Sequence, residues 1–278
     1  RNMNKLLAAH FARLRKSRVF WLCAIFMAGY SLFGQLMNYY DLVTYGEAAS
    51  LENSLYGYIV FYGILQAVFC GLFIGTEYSD GTLRNKLVAG HSRIAIYLSF
   101  WILSAAAGLF LCLISLAVGV LTGLPLLSGF QSSPWDILTL LLGHLGLIAA
   151  YSSIFTFMAL IWQNKASGAV VSLLLAFLLL FAGGYINARL SEPPVYSNVY
   201  MTEAHMIAEE VPNPDYLTGT TREVYEFLRD FVPGSQAIQL TTSSALPRPF
   251  WPLVLYSLLI GGFFAGWGVF IFYRKDIR

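Results

Sequence analysis

The side chains able to do chemistry are few in this chain and lie far apart. His144 is the one acid–base side chain inside a long apolar stretch. An imidazole with no carboxylate or nucleophile beside it in sequence is expected to be a neutral, hydrogen-bonding packing residue. Cys23, Cys70 and Cys112 also fall inside apolar stretches, without metal-ligand spacing, and read as buried packing residues. The chain contains no His-Glu-x-x-His, no G-x-S-x-G and no G-x-x-x-x-G-K-[ST]. It is therefore not expected to hydrolyse through zinc or a serine nucleophile, or to cradle nucleotide phosphates. Paired carboxylates within the apolar stretches are missing too, which argues against a proton- or sodium-driven carrier. If the protein transports, the energy must come from another chain. Nothing here asks for a metal, a cofactor or nucleic acid.

One polar segment stands out. Glu77-Tyr78-Ser79-Asp80-Gly81-Thr82-Leu83-Arg84-Asn85-Lys86-Leu87 runs on to Gly90 and Arg93. Asp80 or Thr82 can cap a short helix that Gly90 stops, and Leu83 and Leu87 form an i, i+4 apolar pair flanked by Arg84 and Lys86. An apolar ridge exposed to water needs a partner, so this loop, 76–93, is a docking candidate. Glu77, beside Arg84 and Lys86, is expected to form a salt bridge that transmits motion.

The elements that hold this loop follow from composition. The 278 residues are 57% hydrophobic and only 12% charged, against roughly 25% charged in a soluble domain. No Asp, Glu, Lys or Arg occurs in Val19–Met37, Leu55–Gly75, Ile94–Thr122, Ile137–Trp162, Ala166–Ala188 or Pro249–Tyr273. A helix needs about 20 residues to cross the hydrocarbon, so six spans are expected. Segments such as Leu173 to Phe181 are apolar on every side, unlike barrel strands. The fold class is thus an all-α integral membrane protein.

The first span follows six basic residues and lacks a small-residue cleavage signature, so it should be retained rather than removed. With the N-terminus inside, 13 of the 17 basic residues and 3 of the 15 acidic residues face the cytoplasm. Both termini then belong there by the positive-inside rule. Residues 3–18, with Leu7, Phe11 and Leu14 in one stripe among basic residues, are expected to form an interfacial amphipathic helix. Spans one to five occupy 19–188, a helical outer insertion 189–248, and the last span with its tail 249–278. Within the insertion, Thr202 can cap a helix through Glu210 and Thr220 or Thr221 one through Asp230, folding back onto the outer ends of the spans.

Small residues recur every four positions at Gly63, Ala67, Gly71 and Gly75, at Ser115, Gly119 and Gly123, and at Gly262 and Gly266, which lets backbones approach. On another face of the second span, Tyr58, Tyr62, Gln66, Phe69 and Phe73 form an aromatic strip with one amide. It is either core or the lining of a path for a lipophilic or amphipathic substrate.

Together these features resemble the membrane subunits of type-2 ATP-binding-cassette (ABC) exporters. The resemblance rests on the basic helix leading into six spans, on the loop Gly75 to Arg84 with its Glu-x-x-x-Gly-Thr stretch, on the outer insertion, and within it on Phe231 to Leu240. It implies that Glu77, Asp80, Thr82, Leu83, Arg84 and Leu87 belong to a coupling helix seated on a separate ATPase, which binds ATP and Mg. It implies a second permease chain, identical or different, and a bacterial plasma-membrane location. Members of this size resemble exporters of amphipathic peptides such as bacteriocins or modulin-like toxins. The alternative is a membrane sensor or immunity protein that binds an extracellular ligand.

Overall fold

The computed structural model describes residues 2–46, 49–162, 164–201, 206–242 and 250–275; Asn2 and residues 197–201 and 206–209 are described as backbone only. Helix α1 (Asn2–Arg15) breaks at Lys16 and Ser17, and the Ser17 hydroxyl caps α2 (Arg18–Tyr45) by accepting from the Phe20 N–H at 3.3 Å. A short α3 (Glu52–Leu55) leads into α4 (Ile59–Ser79), followed by α5 (Thr82–Val88), α6 (Arg93–Gly123), α7 (Pro134–Ile161) and α8 (Lys165–Ser191). Strands β1 (Val195–Met201) and β2 (Met206–Pro212), helices α9 (Gly219–Phe231) and α10 (Pro233–Gln239), and α11 (Trp251–Arg274) complete the chain. Among the described residues six helical segments are long and apolar enough to cross a membrane: α2, α3–α4, α6, α7, α8 and α11.

Start signals agree with local chemistry. Ser92 caps α6, Ser133 caps α7 ahead of Pro134, and Asn164 caps α8 by accepting from the Ala166 and Ser167 N–H groups. Within the bundle α11 packs on α7, α4 on α8 and α7, and α2 on α6. The small-residue repeat of α4 serves this packing, for a Cβ at Gly71 would meet the Ala169 Cα at 2.7 Å. Among the described residues no neighbouring element comes within 4 Å of such a Cβ at Gly262 or Gly266, so the expected close approach at α11 is not made there within this chain.

The insertion differs from the expected all-helical form. The helix proposed for Thr202 to Glu210 is replaced by an antiparallel hairpin pairing Val195 with Pro212 and Met201 with Met206; Thr202 itself lies outside the described residues. The β-branched and aromatic residues around Val195, Tyr196, Val199 and Val211 favour strand over helix. The second expected helix is present as α9, but α9 and α10 do not rest on the span ends. They dip into the bundle: Gly234 abuts the backbone of Leu179, near the midpoint of α8.

A turn at that depth must satisfy its own backbone. Val232 donates to the Leu228 carbonyl at 2.9 Å, and Pro233 has no N–H to lose. Gln239 and Gln236 donate at 2.7 Å to the carbonyls of Arg229 and Asp230, the unspent acceptors at the end of α9. Asn187 reaches the Ser235 hydroxyl at 2.7 Å, and the Ser257 hydroxyl donates to Gln236 Oε1 at 2.6 Å. From the far side, His144 bridges the Leu240 carbonyl at 3.0 Å and the Tyr58 hydroxyl at 2.9 Å. His144 is thus a packing and hydrogen-bonding residue, as its isolation in the sequence suggested.

Candidate functional site

At the basic end of the bundle one carboxylate organises three helices. Glu77, the third-last residue of α4, is 2% exposed. It accepts from Lys86 Nζ at 2.6 Å and from Thr82 Oγ1 at 2.5 Å, and pairs with the Arg13 guanidinium of α1. Arg13 also donates to the Phe73 carbonyl at 3.0 Å and to Thr76 Oγ1, and lies over the Phe73 ring at 4.5 Å. Lys86 lies over Phe100 of α6 at 4.6 Å, while His10 of α1 meets the same ring at 4.3 Å. A charge this buried persists only when its lone pairs are filled, and here cations and a hydroxyl fill them.

The surrounding electrostatics follow. Burial, reinforced by the Lys86 and Arg13 charges, pushes His10 down to about 3, so its ring is neutral. Burial and Arg13 lower the Lys86 ammonium, against the pull of Glu77. At the same end Lys275 donates to the Leu160 carbonyl at 2.9 Å and to that of Ile161, and Tyr78 donates to Leu160 at 2.5 Å. The ends of α4, α7 and α11 are thereby tied together.

Several expected features of α5 are corrected. The Leu83–Leu87 ridge is not on the surface: Leu83 is 1% exposed within the core and Leu87 is half-buried against it. The Thr82 and Lys86 bonds to Glu77 roll the helix so that its apolar pair faces the bundle. Its open face carries Arg84, Asn85 and Val88, with Asp80 and Gly81 exposed ahead of it. Arg84 does not pair with Glu77; Arg13 takes that place. Neither Asp80 nor Thr82 caps α5, whose N-cap is Gly81 at φ 65°, because Thr82 Oγ1 is spent on Glu77. Gly90, at φ 82°, ends the segment as expected.

Arg13 and His10 were missed in the sequence because Leu7, Phe11 and Leu14 looked like the inward stripe. The face that packs on α6 is Leu6, His10 and Leu14, with Leu7 and Phe11 only half-buried. The signal was present in the i, i+4, i+8 spacing of that set, with Arg13 on its edge.

The candidate path face is also relocated. Tyr58, Tyr62, Gln66 and Phe69 are each 0–1% exposed in the single-chain core. Gln66 donates to Ser104 Oγ at 2.6 Å, the Ser104 carbonyl at 3.0 Å and Ser152 Oγ at 3.1 Å. The Tyr62 hydroxyl lies 3.4 Å from Ser152 Oγ, and Phe69 packs on Phe20 and Phe73. The strip holds α4 to α6 and α7 and leaves no room for cargo between them.

Fold and site define a helical membrane protein with six candidate spans, whose N-terminal helix α1 and loop helix α5 meet on one buried carboxylate. A family model described as ABC-2 family transporter protein matches residues 6–183, and the chain belongs to that family. No curated protein matches it. The chain is accordingly a multi-pass membrane permease subunit of an ABC transporter, the transmembrane component rather than the ATPase, and an ABC ATPase is its partner.

Proposed function

We propose that the chain is an export permease whose coupling element is α5. The observation that carries this reading is the Glu77 cluster. A force applied to the exposed face of α5 passes through Lys86 and Thr82 to Glu77, then to α4 and, by Arg13, to α1. The separate ATPase, binding ATP and Mg, would seat on Arg84, Asn85 and Val88, with Asp80 at the margin. Val88 is 82% exposed, an apolar side chain that a partner would cover. The protein then lies in the bacterial plasma membrane with both termini and α5 in the cytoplasm, consistent with the basic residues gathered there.

Because the middle of one chain is filled by Tyr62, Gln66 and their partners, the route for cargo lies between two permease chains, identical or different. The cargo that suits such a route is hydrophobic or amphipathic, a peptide of the bacteriocin or modulin type. An apolar groove of about 570 Å³ between α7, α8, α11 and the turn at Phe231 to Pro233 supports contact of that kind. Closure of the ATPase dimer would shift the pair from inward to outward access.

The test is copurification of the tagged full chain from its native membrane, with mass-spectrometric identification of any ATP-binding-cassette ATPase and of bound peptide. Val88→Asp together with Arg84→Glu should remove the ATPase while leaving the permease as stable as wild type. Leu83→Ala should instead cost the permease itself about 2–4 kcal/mol of stability. An ATPase retained by the double variant would overturn the docking face, and a chain that never carries an ATPase would favour the sensor or immunity reading.

A further inference from the structure

Beside the Glu77 cluster, a cavity of about 270 Å³ opens between α1, the start of α2, α4 and the start of α8. Its lining is graded. Arg13, Lys16 and Lys165 bring positive charge, Ser17 and Thr76 bring hydroxyls, and Val19, Leu72 and Phe73 form an apolar floor. Lys165 also borders a second cavity of about 450 Å³ next to Ser79 and Ala166. Its stem lies over Gly75, where a Cβ would come within 3.1 Å of its Cγ, so the missing side chain there makes room for it.

The charge in this cavity is unbalanced. Among the described residues Lys16 and Lys165 have no ion pair or hydrogen bond through their side chains, and Glu77 is already shared between Arg13 and Lys86. Asp80, exposed at the end of α4, is the other acid whose charge reaches Arg13. The N-termini of two long helices, α2 at Ser17 and α8 at Asn164, border the cavities and add positive potential, although their caps already use the nearest N–H groups. Trp21 and Trp162, 50% and 40% exposed, stand at the start of α2 and the end of α7, within a few residues of Ser17 and Lys165 in the chain. Exposed tryptophans at the ends of spans mark the depth of lipid headgroups.

We propose that this cavity is a binding site for an anionic phospholipid: Lys16, Lys165 and the free edge of Arg13 hold the phosphate, and an acyl chain lies along Val19 and Leu72. The apolar floor favours a lipid over free phosphate, which would leave that floor against water. The bound lipid would bridge the α1–α2 joint to the start of α8 and so brace the helix from which Arg13 reaches Glu77. The proposal depends on neither the cargo nor the identity of the ATPase.

Native mass spectrometry of the delipidated full chain, titrated with phosphatidylglycerol or phosphatidylcholine in mixed micelles, tests it. One phosphatidylglycerol should bind in preference to phosphatidylcholine. Lys16→Gln with Lys165→Gln should weaken that binding about thirtyfold, from ~1 kcal/mol for each basic residue at an anionic lipid. The Lys16→Arg, Lys165→Arg pair should keep it. A control of equal charge loss elsewhere on the same end, Lys5→Gln with Arg84→Gln, should leave it unchanged. An equal loss in the control, or binding competed away by inorganic phosphate alone, would overturn the lipid site.

Discussion

Arg13 and Glu77 are 64 residues apart in sequence and form an ion pair at the junction of α1 with α4, where Glu77 is 3% exposed in its side chain and Arg13 35%. The pair binds α1 to the bundle. It also ties α5 to the same junction, because the second oxygen of the same carboxylate holds Lys86 and Thr82 of α5.

Removing the carboxylate should therefore do more than break one contact. Glu77→Gln leaves Arg13 and Lys86 facing each other without compensation and should cost about 3 kcal/mol, read as a lower thermal midpoint of the detergent-purified chain. Arg13→Gln, whose partner keeps Lys86 and whose own side chain is partly in water, should cost about 1 kcal/mol. The double variant should show a coupling of about 1–2 kcal/mol. Strictly additive losses would mean that α1 and α4 are held together by other contacts.

Stability should also respond to mild acid through His10. Its folded value of about 3 lies below its ordinary 6.5. Between those values the unfolded chain binds a proton that the folded chain refuses, so stability present above pH 6.5 is lost as pH falls. The groups facing the ring, Lys86 and Arg13, are both cations and oppose its protonation. From pH 6.5 to pH 5 the loss should reach about 2 kcal/mol at ~1.4 kcal/mol per pH unit. His10→Gln should flatten this part of the pH–melting curve relative to wild type. Parallel curves for the two proteins would refute the assignment.

The seat of α10 should be intolerant of a single methyl group. A Cβ at Gly234 would overlap the Leu179 backbone, so neither helix can yield by moving a side chain. Gly234→Ala should cost ~3 kcal/mol or more as an overpacked site and lift α10 away from α8. A thiol introduced by Ala237→Cys, at a position buried in the native chain, should then react with a maleimide in the Gly234→Ala background and stay protected without it. Gly262→Ala, with open space around it, should change nothing. Protection of the introduced thiol in both backgrounds would show that the pair is held without this contact.

How much of this was legible beforehand depends on the range of the interactions involved. Charge-free runs long enough to span a bilayer, basic residues gathered on one side, a helix before the first span and a short one between Thr82 and Val88 are local properties of consecutive residues, and they were readable directly. So was the isolation of His144, which left it only a packing role. The direction each helix faces was a different matter, because it depends on partners far along the chain. The exposed ridge expected at Leu83 and Leu87 turned inward once Glu77, nine residues before Lys86, took both Lys86 and Thr82. The face of Tyr58, Tyr62 and Gln66 became core because Ser104 and Ser152 come from two other spans to meet the amide. The descent of α9 and α10 to the middle of α8 required Gly183 and Gly234 to lie back to back and glutamines, Asn187 and His144 to satisfy the turn in place of water. Length and polarity along a chain decide what enters the membrane; which side chains meet there is decided by the cost of leaving any buried charge or carbonyl unpaired.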